Sequence, residues 1–113
     1  MQLDKLCVAY FSPTHTSMKI ARAIADGTRI ARREEIDLTT DPAGMPIAVR
    51  NAICIVAAPV YGGLVAPVAV RRIARLRAEN SIAIPVVVYG NRDYEDALVQ
   101  LRDLLHAQGF TPL

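Results

Sequence analysis

Three apolar runs of strand length constrain this chain more than any other feature. Leu6-Cys7-Val8-Ala9-Tyr10-Phe11, Ala52-Ile53-Cys54-Ile55-Val56-Ala57-Ala58 and Ile84-Pro85-Val86-Val87-Val88-Tyr89 contain no charged residue. A strand with one wet face alternates apolar and polar residues. A strand without that alternation is buried on both faces, as in a parallel sheet covered by helices on each side. The run at residues 6–11 stops at Ser12-Pro13, a turn signal, and the run at 52–58 stops at Pro59.

Helical patterns lie between and after these runs. Ile20, Ala21, Ile24 and Ala25 share a face of the first, with Gly27 as its expected stop. Val65, Val68, Ala69, Ile73 and Leu76 share a face of the second. Tyr94, Ala97, Leu98, Leu101, Leu104 and Leu105 line the third, which begins near Asp93 and closes at Gly109. Asp93, Glu95 and Asp96 crowd its first turn, where the helix dipole favours negative charge. Glu34-Glu35-Ile36-Asp37-Leu38 alternates, as a half-exposed strand near a sheet edge does. Residues 39–50 carry two prolines and a glycine and read as a loop with one helical turn at most. The alternation of strands and helices predicts an α/β fold with a parallel sheet, right-handed crossovers and helices on both faces. A chain of 113 residues, 52% apolar, has the length and the core for one such domain, spanning 1–113.

Ligands of an open α/β sheet bind beyond the carboxyl ends of the strands, where strand order reverses. The loop after the first run is Ser12-Pro13-Thr14-His15-Thr16-Ser17, with four hydroxyl side chains in six residues, leading into a helix N-terminus. Hydroxyls, free amides and the positive helix end make an anion site of neutral donors. The glycines and lysine of a nucleoside triphosphate loop are missing, as is the cysteine of a cysteine-type phosphatase. A helix cap would need only one of these hydroxyls.

Composition narrows the partners. Thirteen basic and eleven acidic residues give a net charge of +2, too balanced to imply nucleic-acid binding. Four Tyr, two Phe and no Trp supply no stacking platform for single strands. Cys7 and Cys54 lie inside apolar runs without CxxC or metal-ligand spacing. They read as small buried hydrophobes of a reduced, cytoplasmic protein, the alternative being a redox pair on facing surfaces. No apolar run approaches the roughly 20 residues of a bilayer span, and the first residues do not resemble a signal peptide. Arg71, Arg75 and Arg77 form either a solvated face or a docking patch for an acidic redox partner. His106, near a helix end, is given no role.

Tyr10-Phe11-Ser12-Pro13-Thr14-His15-Thr16-Ser17 resembles the phosphate-binding signature of flavodoxins, T/S-x-T-G-x-T. Ala58-Pro59-Val60-Tyr61-Gly62-Gly63 and Tyr89-Gly90-Asn91-Arg92-Asp93-Tyr94-Glu95-Asp96-Ala97-Leu98 are similar to the other two flavin loops of one bacterial family. In that family a flavodoxin-like module precedes a two-cluster ferredoxin module. The resemblance covers the whole chain. It implies a three-layer, doubly wound flavodoxin-like sheet of strand order 2-1-3-4(-5) that binds FMN. Ser12, Thr14, Thr16 and Ser17 would then hold the phosphate. Pro59, Val60, Tyr61 and Gly62 would lie beside the inner face of the isoalloxazine ring, with Gly62 or Gly63 offering a backbone group to N5. In the loop that opens at Gly90, Asn91 and Arg92 would meet the pyrimidine edge. Tyr94 would stack on the outer face, although its register with Leu98 and Leu101 also suits ordinary core.

The match has a departure and a gap. His15 stands where the signature has glycine, and a positive φ there would strain a histidine. It reads as a tolerated substitution, as a charged group assisting the phosphate, or as a sign of a damaged site. Gly109-Phe110-Thr111-Pro112-Leu113 looks like the start of a fifth strand, most of which is missing. The strand at 85–89 would then offer an open edge, on which a second copy could pair to form a homodimer. Two cysteines cannot hold two iron–sulfur clusters, so a ferredoxin-type partner would be a separate module.

The expected function is FMN-binding electron transfer, with no residue acting as general acid, base or nucleophile. Two alternatives stand beside it: a flavin-dependent reductase of a small acceptor, and a non-redox interaction module with a decayed site. A receiver domain shares the topology but needs an Asp at the end of its third strand, where this chain has Ala57-Ala58-Pro59.

Overall fold

The computed structural model describes residues 3, 5–40, 44–88 and 95–112, the side chains of residues 95 and 112 excepted. Five strands form a parallel sheet: β1 (Lys5–Tyr10), β2 (Arg33–Asp37), β4 (Ala52–Tyr61), β7 (Ile82–Val88) and β8 (Thr111–Pro112). Their order is β2-β1-β4-β7-β8. Counting along these strands alone, this is the expected 2-1-3-4-5. The register runs Val8↔Glu35 between β1 and β2, Cys7↔Cys54 between β1 and β4, and Ile55↔Ile84 between β4 and β7. The fifth position is short, because β8 pairs only Thr111 with Ile82 and Pro112 with Ala83.

Successive side chains of a strand point to opposite faces, and this sheet buries both. Leu6, Val8 and Tyr10 of β1 join Ile55 and Ala57 of β4 under Ala21 and Ala25 of α1 (Thr16–Thr28). The alternate residues Cys7, Ala9, Cys54, Val56 and Ala58 face the other way. There they meet Ala69 and Ile73 of α2 (Pro67–Ile73), Leu101 and Leu105 of α3 (Glu95–Ala107), and Phe110. Two-sided burial is why these runs lack alternation. Cys7 and Cys54 are free and buried side by side. Hydrogen bonding to Cys7, followed by burial, pushes the Cys54 thiol well above its ordinary range.

Four expectations are corrected. Residues 39–50 are not merely a loop, since β3 (Ile47–Arg50) pairs in parallel with β6 (Leu76–Glu79) as a separate two-stranded sheet. The second helix is only seven residues long. Val65 belongs to β5 (Leu64–Val65) and Leu76 to β6, so both are buried, but from strands. Pro67 is the physical reason for the late start, because its fixed φ and missing N–H suit the first helical position. Gly27 does not stop α1: the helix runs to Thr28, and Arg29 takes the left-handed cap at φ 58°. Finally, Pro59, Val60 and Tyr61 are not loop residues. Pro59 still pairs with Val88 of β7 at the end of the parallel ladder, and Val60 and Tyr61 extend β4 beyond it to pair antiparallel with β5.

Gly109 ends the chain turn after α3 as expected, at φ 99°. A Cβ there would strike the carbonyl oxygen of Ala78, so only glycine lets α3 end against β6.

Candidate functional site

The loop of residues 12–15 connects β1 to α1 at the carboxyl end of β1, which lies between β2 and β4 in the sheet. This is where strand order reverses. Phe11 N–H donates to the Ala57 carbonyl at 3.1 Å, which ties the loop's root to β4.

Ser12 is buried and engaged at its amide, its carbonyl and its hydroxyl oxygen. Its N–H donates to Thr39 Oγ1 at 2.8 Å, and its Oγ accepts from Met18 N–H at 2.9 Å. Its carbonyl accepts from His15 N–H at 3.1 Å. Ser12 therefore both closes the loop and caps the third residue of α1. His15 precedes the helix at φ 67° and ψ −1°, and its carbonyl accepts from Lys19 N–H at 3.0 Å. The position where the flavodoxin signature has glycine thus adopts the left-handed conformation that favours glycine. Histidine tolerates that region better than most residues, at a cost of about 1 kcal/mol.

What remains of the loop's donors is unclaimed. The amides of Thr14, Thr16 and Ser17 donate to nothing among the described residues. Thr14 and Thr16 are exposed, and their hydroxyls meet only each other, at 3.4 Å. Ser17 is 3% exposed, and its hydroxyl has no partner among the described residues. Leaving a buried hydroxyl unsatisfied costs about 1–3 kcal/mol, so such a group calls for an explanation. The first turn of α1 contains no acidic residue, so its positive end is uncompensated. Three free amides, a buried free hydroxyl and a helix N-terminus together suit a phosphate-like anion.

The second loop is a two-residue hairpin. Gly62 (φ 62°) and Gly63 (φ 84°) join β4 to β5, with Tyr61 paired to Leu64. Positive φ at both central residues is the turn whose twist matches its flanking strands, and glycine adopts it without strain. Tyr61 and Leu64 are 59% and 52% exposed, an apolar tip at the carboxyl end of β4. Gln100 Oε1 of α3 accepts from Val65 N–H at 2.8 Å and holds the hairpin to the body. Gly90, Asn91, Arg92 and Tyr94 lie outside the described residues.

The structure thus brings Ser12, Thr14 and His15 of the loop together with Thr16 and Ser17 in the first turn of α1, and sets Pro59, Val60 and Tyr61 at the end of the adjacent strand with Gly62 and Gly63 in its hairpin turn. Two residues of this region escape a reading of the sequence. Thr39 reaches Ser12 across 27 positions. Arg72 Nη1 donates to the carbonyls of Leu38 and Thr39, at 3.0 and 2.9 Å. Among the described residues no group of three or more His, Cys, Asp or Glu side chains is placed to hold a metal ion, and no helix is long and apolar enough to cross a membrane.

The chain matches no protein-family model and no curated protein sequence. Solved structures do resemble it. The apo form of an NADH:FMN oxidoreductase superposes with a TM-score of 0.72 at 20% identity, over 96% of this chain and 71% of the other. The rubredoxin oxygen:oxidoreductase of Desulfovibrio gigas gives 0.63 at 19% identity, over 98% of this chain and 29% of its own. The flavodiiron protein of Giardia intestinalis gives 0.52 at 16%, over 98% and 31%. At such identities the likeness establishes the fold: this is a flavodoxin-like α/β domain.

Proposed function

We propose that this chain is an FMN-binding electron-transfer domain. The observation that carries the reading is the loop of residues 12–17, with its three unclaimed amides and the buried, unpartnered hydroxyl of Ser17 at the point of strand reversal. The residues present fit a flavin mononucleotide. Ser12 holds the loop closed while Thr14, Thr16 and Ser17 direct neutral donors at the phosphate. The hairpin of Gly62 and Gly63 sets a strain-free backbone turn, and the apolar tip of Tyr61 and Leu64, beside the ring. His15 and Lys19, exposed at the same helix end, add positive charge near the phosphate when protonated. The bound flavin supplies the redox chemistry, and the protein supplies binding, orientation and electrostatics.

The similarity to a protein described as an NADH:FMN oxidoreductase favours a second reading, a flavin-dependent reductase of a small acceptor. A ferredoxin-type or other acidic redox protein is the partner for the carrier reading, with the exposed Arg71 and Arg77 on its approach. The free, buried pair Cys7 and Cys54 supports a reducing, cytoplasmic setting.

Incubation with FMN followed by desalting tests the reading. The protein fraction should keep the visible flavin absorbance in stoichiometric amount, and protein that emerges colourless would refute it. Turnover of a quinone by the loaded protein with NADH would identify the reductase, and absence of turnover the carrier.

A further inference from the structure

The turn after β2 is fastened to the loop of residues 12–15 on one side and to α2 on the other. Thr39 sits at the middle of this chain of bonds. Its N–H donates to Asp37 Oδ1 at 2.8 Å, the bond of an Asx turn. Its carbonyl, with that of Leu38, accepts from the Arg72 guanidinium. Its hydroxyl accepts from Ser12 N–H. Ser12 in turn accepts from Met18 N–H of α1. Three segments remote in sequence, residues 12–18, 37–39 and Arg72, are thereby joined through one threonine and one arginine.

This arrangement is more than ordinary packing. Leu38 N–H already donates to the Tyr10 carbonyl at 2.8 Å, so backbone pairing alone secures the start of the turn. Beyond that point the sheet offers nothing to fix Thr39, and Arg72 does so by grasping two successive carbonyls. Both bonds come from one nitrogen, Nη1, whose two N–H groups each meet a carbonyl. The Ser12 amide would otherwise be a buried donor without a protein acceptor. It would be free to turn toward an anion, taking the loop's closing bonds with it.

We propose that Thr39 and Arg72 are positioning residues for the anion loop. They clamp Ser12 so that the amides of Thr14, Thr16 and Ser17, rather than that of Ser12, face the ligand. The inference rests on the reading of this loop as the FMN phosphate site. It concerns residues that do not themselves need to touch the flavin.

Affinities for FMN and for riboflavin, which lacks the phosphate, test it together with amide hydrogen exchange of the flavin-free protein. Thr39→Val keeps shape and charge but removes the acceptor. It should weaken FMN about fivefold to tenfold and leave riboflavin within about twofold. Thr39→Ser should restore FMN binding. Arg72→Met removes both bonds and should weaken FMN as Thr39→Val does, again leaving riboflavin within about twofold. If Arg72 acted only through its charge, Ser12 exchange would be unchanged in Arg72→Met, and the clamp would be refuted for Arg72. Equal losses for FMN and riboflavin in Thr39→Val would reduce the role to general stability and overturn the proposal. Exchange separates this failure from failure of the flavin reading. In the flavin-free protein Ser12 N–H should be protected in the wild type and exchange faster in Thr39→Val. Wild-type protein that binds no FMN but shows this change keeps the clamp and loses the cofactor. Unchanged Ser12 exchange overturns the clamp whatever the flavin does.

Discussion

Ser17 is the residue at which folding and binding make opposite demands. Its hydroxyl is buried without a partner among the described residues, so the free protein bears the cost of desolvating it. Ser17→Ala should leave the melting temperature of the flavin-free protein unchanged or slightly higher, yet weaken FMN about tenfold. A serine serving only as structure would give the reverse, a lower melting temperature and no change in affinity. His15 makes a related case. Its φ of 67° matches what the flavodoxin signature implies for this position, and histidine bears the strain that glycine would not. His15→Gly relieves about 1 kcal/mol of backbone strain and returns part of it as unfolded-chain entropy. Calorimetry should show a net gain of about 0.5 kcal/mol, or roughly 2–4 °C.

Among the elements, α1 is tied to both neighbouring strands by one polar cluster. Tyr10 of β1 donates to Glu35 Oε1 of β2 at 2.8 Å, and Arg22 of α1 pairs with the same carboxylate through contacts of 2.9–3.1 Å. Hydrogen bonds from Arg22, joined by that from Tyr10 and opposed by burial, hold the Glu35 carboxyl below the usual carboxylate range. Burial, joined by the bond to Glu35, pushes the Tyr10 phenol above its ordinary value of 10.0. The signs follow from linkage. Glu35 binds its proton less readily folded than unfolded, so its contribution is present above its unfolded pKa and fades as pH falls through the folded one. Tyr10 keeps its proton more readily when folded, so its contribution is present below 10 and fades as pH rises through the folded value. Thermal unfolding across pH should show a shallower acid limb in Glu35→Gln than in the wild type. Identical limbs would mean that the cluster contributes nothing.

The elements also show how far the sequence alone could be read. The buried runs of β1 and β4 were legible because burial on both faces erases alternation, and the anion loop because four hydroxyls crowd into it; β7 shows the same apolar run but is only partly buried, Ala83 excepted. The pairing of β3 with β6 was hidden. Val49 and Leu76 are buried at positions that fit a helical stripe as well as a strand, and only a partner 29 residues away along the chain decides between them. The extension of β4 through Pro59 was hidden because proline signals a stop, whereas here Pro59 sits at the end of the ladder, where its missing N–H is not needed. Thr39 and Arg72 carry no local signal, since their bonds span 27 to 34 positions.

On the scale of the whole molecule, the sheet is asymmetric. The β2 edge is charged, with Arg33, Glu34, Glu35 and Asp37 exposed. At the other side β8 covers only Ile82 and Ala83, and the edge of β7 from Ile84 onward has no strand partner among the described residues. A cavity of about 220 Å³ lies there, lined by Ile84, Pro85, Leu98, Val99 and Arg102. Leu98 and Val99 of α3 are exposed apolar residues beside this edge, at 37% and 46%.

The loop of residues 12–17 remains the centre of the account, because its unclaimed donors match a phosphate and its place at strand reversal matches the site where such folds bind ligands. The most direct measurement is a fluorescence titration of FMN and of riboflavin with the purified protein. FMN should be quenched on binding and held at least about tenfold more tightly than riboflavin, the difference being the phosphate. Free-flavin fluorescence at saturating protein, or equal affinity for the two flavins, would contradict it.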